Sequence, residues 1–245
     1  DGCGNTSSNF VQTINVQDTT APVVTTTVAS LDATLECSNA TAIAAALAQA
    51  PVATDNCTAV PTLNLVSDVT TPNASCANAY QRVRTWNFTD GCGNTSSNFV
   101  QTINVQDTTA PVFSGTLPQD ITLECSQTIP VAATLVALDN CDSTVVVNLS
   151  TQTIAGSCPN NYTLLRTWTA TDVCGNATTH SQRVIIQDTT APVFVESAPE
   201  SVLYAKCDGI PTPPVFTATD NCGSATVDYT EVKVQGDCTN KYRIE

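Results

Sequence analysis

The sequence predicts an all-β chain, an elongated tandem array of small β-sandwich domains stapled by disulfides. Three observations lead there. Residues 1–23, DGCGNTSSNFVQTINVQDTTAPV, recur unchanged at 90–112, and QDTTAPV returns at 17, 106 and 187. A period of 89 and then 81 residues, counted between Asp18, Asp107 and Asp188, marks a repeat array rather than one catalytic domain. Twelve cysteines fall in the same order in each period, and units this small need staples to supplement their cores. Short runs of period-two alternation, bounded by Gly, Asn, Asp and Pro, recur within each unit.

With the three aspartates as unit starts, residues 1–17 are the final strand of a preceding repeat. Residues 18–106 and 107–187 are complete repeats, and 188–245 is a truncated one. In chain order, the first complete repeat offers strands at 34–36, 62–66, 80–90 and 99–105. Between the first two lies TAIAAALAQA at 41–50, rich in the best helix former, with Ser38 and Asn39 as caps and Pro51 as a stop. The run 80–90 puts Tyr80, Arg82, Arg84, Trp86 and Phe88 on one face, which is expected to be core. Arg84 and Arg166 are expected to bury their stems and reach a rim acid. The second repeat offers 121–124, 145–149, a matching Tyr162–Ala170 face and 183–186. The final strand follows a D-x-C-G-N turn whose Gly and Asn suit positive φ. This strand count and spacing describe immunoglobulin-like sandwiches.

The four cysteine positions per repeat follow LE or AK (Cys37, Cys125, Cys207), follow DN (Cys57, Cys141, Cys222), occupy a mid-unit loop (Cys76, Cys158, Cys238) and sit in D-x-C-G-N (Cys3, Cys92, Cys174). With no C-x-x-C and one histidine, His180, they argue for disulfides in an oxidising, extracytoplasmic place rather than for zinc. A strand over 80–90 spans on the order of 30 Å, whereas bridged Cα atoms lie roughly 4.4 to 6.8 Å apart, so Cys76 does not reach Cys92. Placing the D-N-C loop and D-x-C-G-N turn at the end that receives the linker favours Cys57 with Cys92 and Cys37 with Cys76. The same rule gives Cys141 with Cys174, Cys125 with Cys158, and Cys207 with Cys238, leaving Cys3 and Cys222 without partners in this chain.

The excess of 22 acidic over 8 basic residues, with no basic run, repels a nucleic-acid backbone. No apolar stretch approaches the roughly 20 residues of a membrane helix, so no membrane insertion is expected of this segment. Carboxylates collect at the linker end of each repeat: Asp18, Asp55, Asn56 and Asp90 in the first, Asp107, Asp139, Asn140 and Asp172 in the second, Asp188, Asp220 and Asn221 in the third. Calcium, which takes six to eight oxygen ligands, would stiffen such a junction; the competing reading is that these residues only form Asx turns. No organic cofactor is expected. Neither is catalysis, because no nucleophile recurs beside a base.

The combination T-x-T-D-x-C-G-N, a β-run, V-Q-D-T-T-A-P-V-F and a preceding D-N-C resembles the hyalin-repeat (HYR) modules, specifically the four-cysteine HYR-like variety of long secreted Bacteroidota proteins. The resemblance covers essentially the whole chain; Lys206 departs from the Glu of L-E-C. It implies an immunoglobulin-like fold, an extracellular cell-surface location and a role in stalks and adhesins, including gliding proteins exported by the type IX system. It also implies that group's O-glycosylation signal, which Thr19, Thr108, Ser143 and Thr189 fit. Three functions stay open. One is a structural stalk or filament shaft whose partners are neighbouring repeats. Another is an intrinsically adhesive module for glycans or proteins, gaining strength by multivalency. The third is a filament subunit completed by strand donation.

Overall fold

The computed structural model describes residues 1–206, 208–237 and 241–245. It is mostly β, built as tandem β-sandwich repeats with disulfides. Two compact units form: Asp1–Val112 with Ala137–Val146 and Thr171–Thr178, and Phe113–Val136 with Val147–Ala170 and Thr179–Glu245. The division departs from the sequence period, because the first unit takes in the loop around Cys141 and the turn around Cys174.

The first repeat runs β1 (Val23–Val24), β2 (Ala33–Glu36), α1 (Ala40–Ala48), β3 (Ala53–Thr54), β4 (Thr62–Pro72), β5 (Tyr80–Thr89) and β6 (Phe99–Gln106). A four-stranded sheet has the order β2-β6-β5-β4, and β1 pairs with β3 in a smaller one. β2 lies parallel to β6, with Ala33 opposite Ile103, while β5 is antiparallel to both its neighbours. The aromatic face of β5 turns inward, burying Trp86 and Phe88 beside Phe99. The Asn39 side chain accepts from Ala42 N (3.0 Å) to start α1, and the helix stops short of Pro51, which would block its continuation. Its Ile43, Ala46 and Leu47 pack on Ala33, Leu35, Ile103, Val105 and Tyr80, covering the sheet beside β2.

β4 extends to Pro72, well past the expected 66, because β5 offers it hydrogen-bonding partners over its whole length, with one bulge between Leu65 and Ser67. Arg84 reaches the expected rim acid and takes further partners. Its guanidinium donates to the carbonyls of Leu47 (2.8 Å) and Gln49 (3.4 Å) and to Gln101 Oε1 (3.3 Å), and only its Nε approaches Asp68, at 3.7 Å. Asp68 is shared with Arg82, which binds it bidentately at 2.7 Å twice. The C-terminal carbonyls of α1 lack helical partners, and Arg84 satisfies them. Arg166 does the same without a helix, donating to Pro130 O (2.6 Å) and Gln182 Oε1 (3.4 Å).

The second repeat contains β7 (Val112–Ser114), β8 (Ile121–Glu124), β9 (Val136–Leu138), β10 (Val146–Ala155), β11 (Tyr162–Thr171) and β12 (Ala177–Gln187). The sheet order β10-β11-β12-β8, with β8 parallel to β12, reproduces the first repeat strand for strand. Trp168, Ala170, Val184 and Ile186 are buried, and Trp168 Nε1 donates to Ala133 O at 3.0 Å. Among its described residues the remainder carries two short pairs, β13 (Val193–Phe194) with β14 (Ala218–Thr219), and β15 (Lys233–Gln235) with β16 (Tyr242–Ile244).

Candidate metal and disulfide joints

Three short sequence devices build each joint. The first is the D-x-C-G-N turn after β5 or β11. Asp90 Oδ1 accepts from Cys92 N (2.9 Å) and Asn94 N (2.8 Å), and Asp172 Oδ1 accepts from Cys174 N (2.9 Å) and Asn176 N (2.8 Å). Gly93 and Gly175 both take φ of +92°, where a Cβ would be strained. The asparagine is not there for positive φ, as the sequence suggested. Asn94 Nδ2 instead donates to Asp90 Oδ2 (2.7 Å) and to the carbonyl of Asp18 (3.2 Å), and Asn176 ties Asp172 Oδ2 (2.7 Å) to the carbonyl of Asp107 (3.1 Å). The turn thereby grips the linker entering its own repeat.

The second device is the D-N-C loop, an Asx turn in which Asp55 Oδ1 accepts from Cys57 N (3.0 Å) and Thr58 N (2.7 Å). Asp139 Oδ1 accepts likewise from Cys141 N (2.8 Å) and Asp142 N (2.9 Å). The third is the linker itself, where Asp18 Oδ1 takes Thr20 N (3.0 Å) and Asp107 Oδ1 takes Thr109 N (3.3 Å).

These devices converge. Carboxylate oxygens of Asp18, Asp55 and Asp90 lie within 4.8 Å of one another, as do those of Asp107, Asp139 and Asp172. The Asx turns and the cluster are compatible, because the turns occupy the Oδ1 atoms, although Oδ2 of Asp90 and of Asp172 also accepts from Asn94 and Asn176. Oδ2 of Asp18, Asp55 and Asp107 is buried with no hydrogen-bond partner. Among the described residues no Lys or Arg forms an ion pair with any of the six. Asp107 is 7% exposed, and its carboxyl is pushed above the usual range by burial first, then by the charges of Asp139, Asp172 and Glu36. Asp90 is held low: burial opposes this, but the bonds from Asn94, Cys92 and Gly93 outweigh it. An orphaned, buried carboxylate oxygen facing two more carboxylates is costly unless a cation is supplied. The donor set is all oxygen, which suits a hard divalent ion such as calcium.

The asparagines expected beside these acids play other parts. In the orientation that satisfies both ends of the Asn140 amide, its nitrogen donates to Asp139 (3.2 and 3.3 Å) and its oxygen accepts from Ser38 Oγ (2.8 Å), so that oxygen is not offered to an ion. Asn221 hydrogen-bonds the Glu124 carboxylate, and Asn56 is exposed. Among the described residues the third repeat assembles no such triad. Asp188 lies with Glu124, and Asp220 Oδ1 is occupied by Cys222 N at 2.8 Å.

Sequence reasoning passed over Glu36 and Glu124. Glu36 accepts from Thr108 N, Thr108 Oγ1 and Thr109 Oγ1, each at 3.0 Å; Glu124 accepts from Thr189 N (2.8 Å), Thr189 Oγ1 (3.1 Å) and Thr190 Oγ1 (3.3 Å). These bonds, led by the backbone N–H of Thr108 and Thr189, hold both carboxyls below their ordinary value. The signal was present: L-E-C and D-T-T recur in register. The same bonds occupy the hydroxyls of Thr108 and Thr189, two of the proposed O-glycosylation positions. Thr19 is exposed, and the hydroxyl-bearing Ser143 lies in the loop after Asp142.

The disulfides differ from every predicted pair that falls within the described residues. They join Cys37 to Cys141, Cys76 to Cys174, and Cys125 to Cys222, while Cys3, Cys57, Cys92 and Cys158 are free. The pairs Cys57–Cys92, Cys37–Cys76, Cys125–Cys158 and Cys141–Cys174 are therefore replaced, and Cys222 has a partner; Cys207 and Cys238 lie outside the described residues. Strand direction explains the change. Cys37 follows β2, which runs parallel to β6, and its N–H donates to Gln106 O (2.8 Å), one residue before the linker Asp107. Cys76 lies in the β4–β5 hairpin, whose Tyr80 pairs with Val105. Both therefore stand where the chain leaves the repeat, beside the D-N-C loop and D-x-C-G-N turn of the next, and the bonds cross the joint. Three such bonds are the chemistry of a secreted, extracellular chain. Among the described residues no helix is long and apolar enough to cross a membrane.

The family described as HYR-like domain with 4 cysteines matches residues 19–105 and 113–186. No curated protein matches. Among solved structures, human mucin-like protocadherin EC1-2 is 11% identical over 69% of this chain and 98% of that one, with a TM-score of 0.27. PcdhgB3 EC1-4 is 12% identical over 91% and 66%, with a TM-score of 0.28. Drosophila N-cadherin EC1-4 is 13% identical over 69% and 50%, with a TM-score of 0.26.

Proposed function

Because the chain belongs to the family of HYR-like domains with four cysteines, which it carries in two copies, we propose that it is a shaft segment of a large extracellular cell-surface protein, its joints locked by disulfides and stiffened by calcium. The shaft projects a remote functional part in attachment or gliding, and the family resemblance supports export by a type IX route. The segment itself carries no catalysis.

One observation supports this reading above the others: the buried, unpartnered Oδ2 of linker Asp107 faces Asp139 and Asp172 at a joint also crossed by two disulfides. Asp107, Asp139 and Asp172 would hold the ion, with the corresponding Asp18, Asp55 and Asp90 holding a second. Calcium would supply charge neutralisation and fix the linker against the loops, while the Asx turns hold each carboxylate in place before the ion arrives. Extracellular calcium modules bind at about 10⁻⁴ to 10⁻³ M, matched to their surroundings. An ion bound by the folded chain alone stabilises it by about 1.4 kcal/mol at ten times its dissociation constant. Thermal unfolding of the whole chain should therefore shift upward on replacing EDTA with calcium, and the shift should persist when magnesium is present at the same concentration. A midpoint insensitive to calcium up to about 10 mM, some tenfold above the weak end of that affinity range, would remove calcium from the account.

A further inference from the structure

We infer that exposed Cys57 and Cys92 are the receiving half of a double disulfide joint for another repeat of this same four-cysteine kind, seated on the linker end of repeat 18–106. The inference rests on the shaft reading above only in taking repeats as links; its evidence is the bonding rule within the chain. The cysteine after L-E of one repeat bonds the D-N-C cysteine of the next, in Cys37–Cys141 and again in Cys125–Cys222. The hairpin-loop cysteine bonds the D-x-C-G-N cysteine of the next, in Cys76–Cys174.

Cys57 and Cys92 occupy the same positions in the first repeat that Cys141 and Cys174 occupy in the second. Their turns are built alike: Cys57 N and Cys92 N donate to Asp55 and Asp90 at 3.0 and 2.9 Å, as Cys141 N and Cys174 N donate to Asp139 and Asp172 at 2.8 and 2.9 Å. Yet both thiols are free and exposed. Backbone and carboxylates at this end are thus arranged as at the closed joint, and only the partner's sulfurs are missing. Asp18, Asp55 and Asp90 make this end acidic, and what selects the occupant is a matched pair of thiols. One follows an L-E-C strand and the other lies in a β-hairpin loop. Cys158, free and exposed in the hairpin loop after β10, is the donating counterpart on the second repeat. By the same rule it takes the D-x-C-G-N cysteine of a following repeat. Each bond forms as two thiols give up two protons and two electrons to a small disulfide oxidant such as glutathione disulfide, which leaves as two thiols.

Residues 1–17 and 90–106 are identical, which makes a clean test possible. A second copy of residues 18–89 placed directly before Asp1 of the full chain supplies a whole upstream repeat, with residues 1–17 as its final strand. After oxidation with glutathione disulfide, peptide mapping under non-reducing conditions should find Cys57 bonded to the added copy's Cys37, and Cys92 to the added copy's Cys76. The unextended chain should show both thiols alkylated. A Cys57–Cys92 bond in either chain would overturn the inference. So would free Cys57 and Cys92 in an extended chain that has formed Cys37–Cys141 and Cys76–Cys174, or absence of those two bonds as well. Calcium binding plays no part in this readout, so the failure of either proposal is visible separately.

Discussion

Residues 1–17 and 90–106 have one sequence and two structures. Phe99, Ile103 and Val105 are 3%, 1% and 3% exposed within β6, whereas the identical Phe10, Ile14 and Val16 are 91%, 75% and 91% exposed in chain without regular structure. The turn that precedes them is the same in both. Asp1 Oδ1 accepts from Cys3 N (3.0 Å) and Asn5 N (3.1 Å), Asp1 Oδ2 accepts from Asn5 Nδ2 (3.0 Å), and Gly4 takes φ of +85°. A turn whose carboxylate bonds all lie within five residues is specified locally, and the bonds from Asn94 to Asp18 and from Gly91 to Thr58 are added to it in the folded repeat. A strand is specified by its neighbours: β6 exists because β5 and β2 flank it and Trp86 and α1 cover it.

The largest expected effect follows from supplying those neighbours. In the chain extended upstream by residues 18–89, the amides of Ile14 and Val16 should gain protection from hydrogen exchange by about 10³-fold or more, since core strands open only with large-scale unfolding. Next, Phe99→Ala should cost about 3–5 kcal/mol, the range for a buried aromatic. Phe10→Ala, the same change in the same sequence, should stay within about 0.5 kcal/mol. Paired urea titrations of the two variants measure the difference. Gly93→Ala should cost about 1–2 kcal/mol for the positive φ, and Gly4→Ala should leave the midpoint where it is, because its turn supports no packed strand.

Smaller again is the linker clamp. Thr108→Val removes the hydroxyl bonded to Glu36 and should cost about 0.5–1.5 kcal/mol, whereas Thr19→Val, which loses no such bond in this chain, should be neutral. A double-mutant cycle of Thr108→Val with Glu36→Gln should show the two effects to be coupled.

The pH dependence has two opposed parts. Glu36, Glu124 and Asp90 have lowered folded pKa values, so their stabilisation is present above the unfolded value and is lost as pH falls through the folded one. Asp107 is raised, so the repulsion it contributes is full above its folded value and is relieved as its carboxyl takes up a proton. Without calcium, Asp107→Asn should therefore gain stability relative to the parent at neutral pH and lose that advantage in acid. In calcium the parent should regain the lead, since proton and ion compete for one oxygen.

What could be read from sequence divides along the same line. The repeat, the β5 aromatic face, the Asn39-capped helix and the carboxylates of the two triads depend on periodicity and local turns, and these are written in adjacent residues. Cysteine pairing depends on which ends of successive repeats meet. The elimination of Cys76 with Cys92 needed only the length of one strand, but the true partners of Cys37 and Cys76 lie about a hundred residues away, across a joint. Treating each repeat as covalently closed hid them. Arg84 was read in part: it reaches the acid Asp68, but the carbonyls it also satisfies become available only once α1 has docked. Glu36 was legible and overlooked: its recurrence before cysteine, in register with the linker threonines, is a pattern of the same grade as D-N-C.

Isothermal titration of the whole chain with calcium at neutral pH, repeated on Asp107→Asn and on Asp228→Asn as an exposed control, tests the central claim most directly. The joint predicts saturable binding in the parent and in Asp228→Asn, with one fewer ion bound by Asp107→Asn. Absence of saturable binding at millimolar calcium, or an Asp107→Asn isotherm superimposable on the parent's, would contradict it.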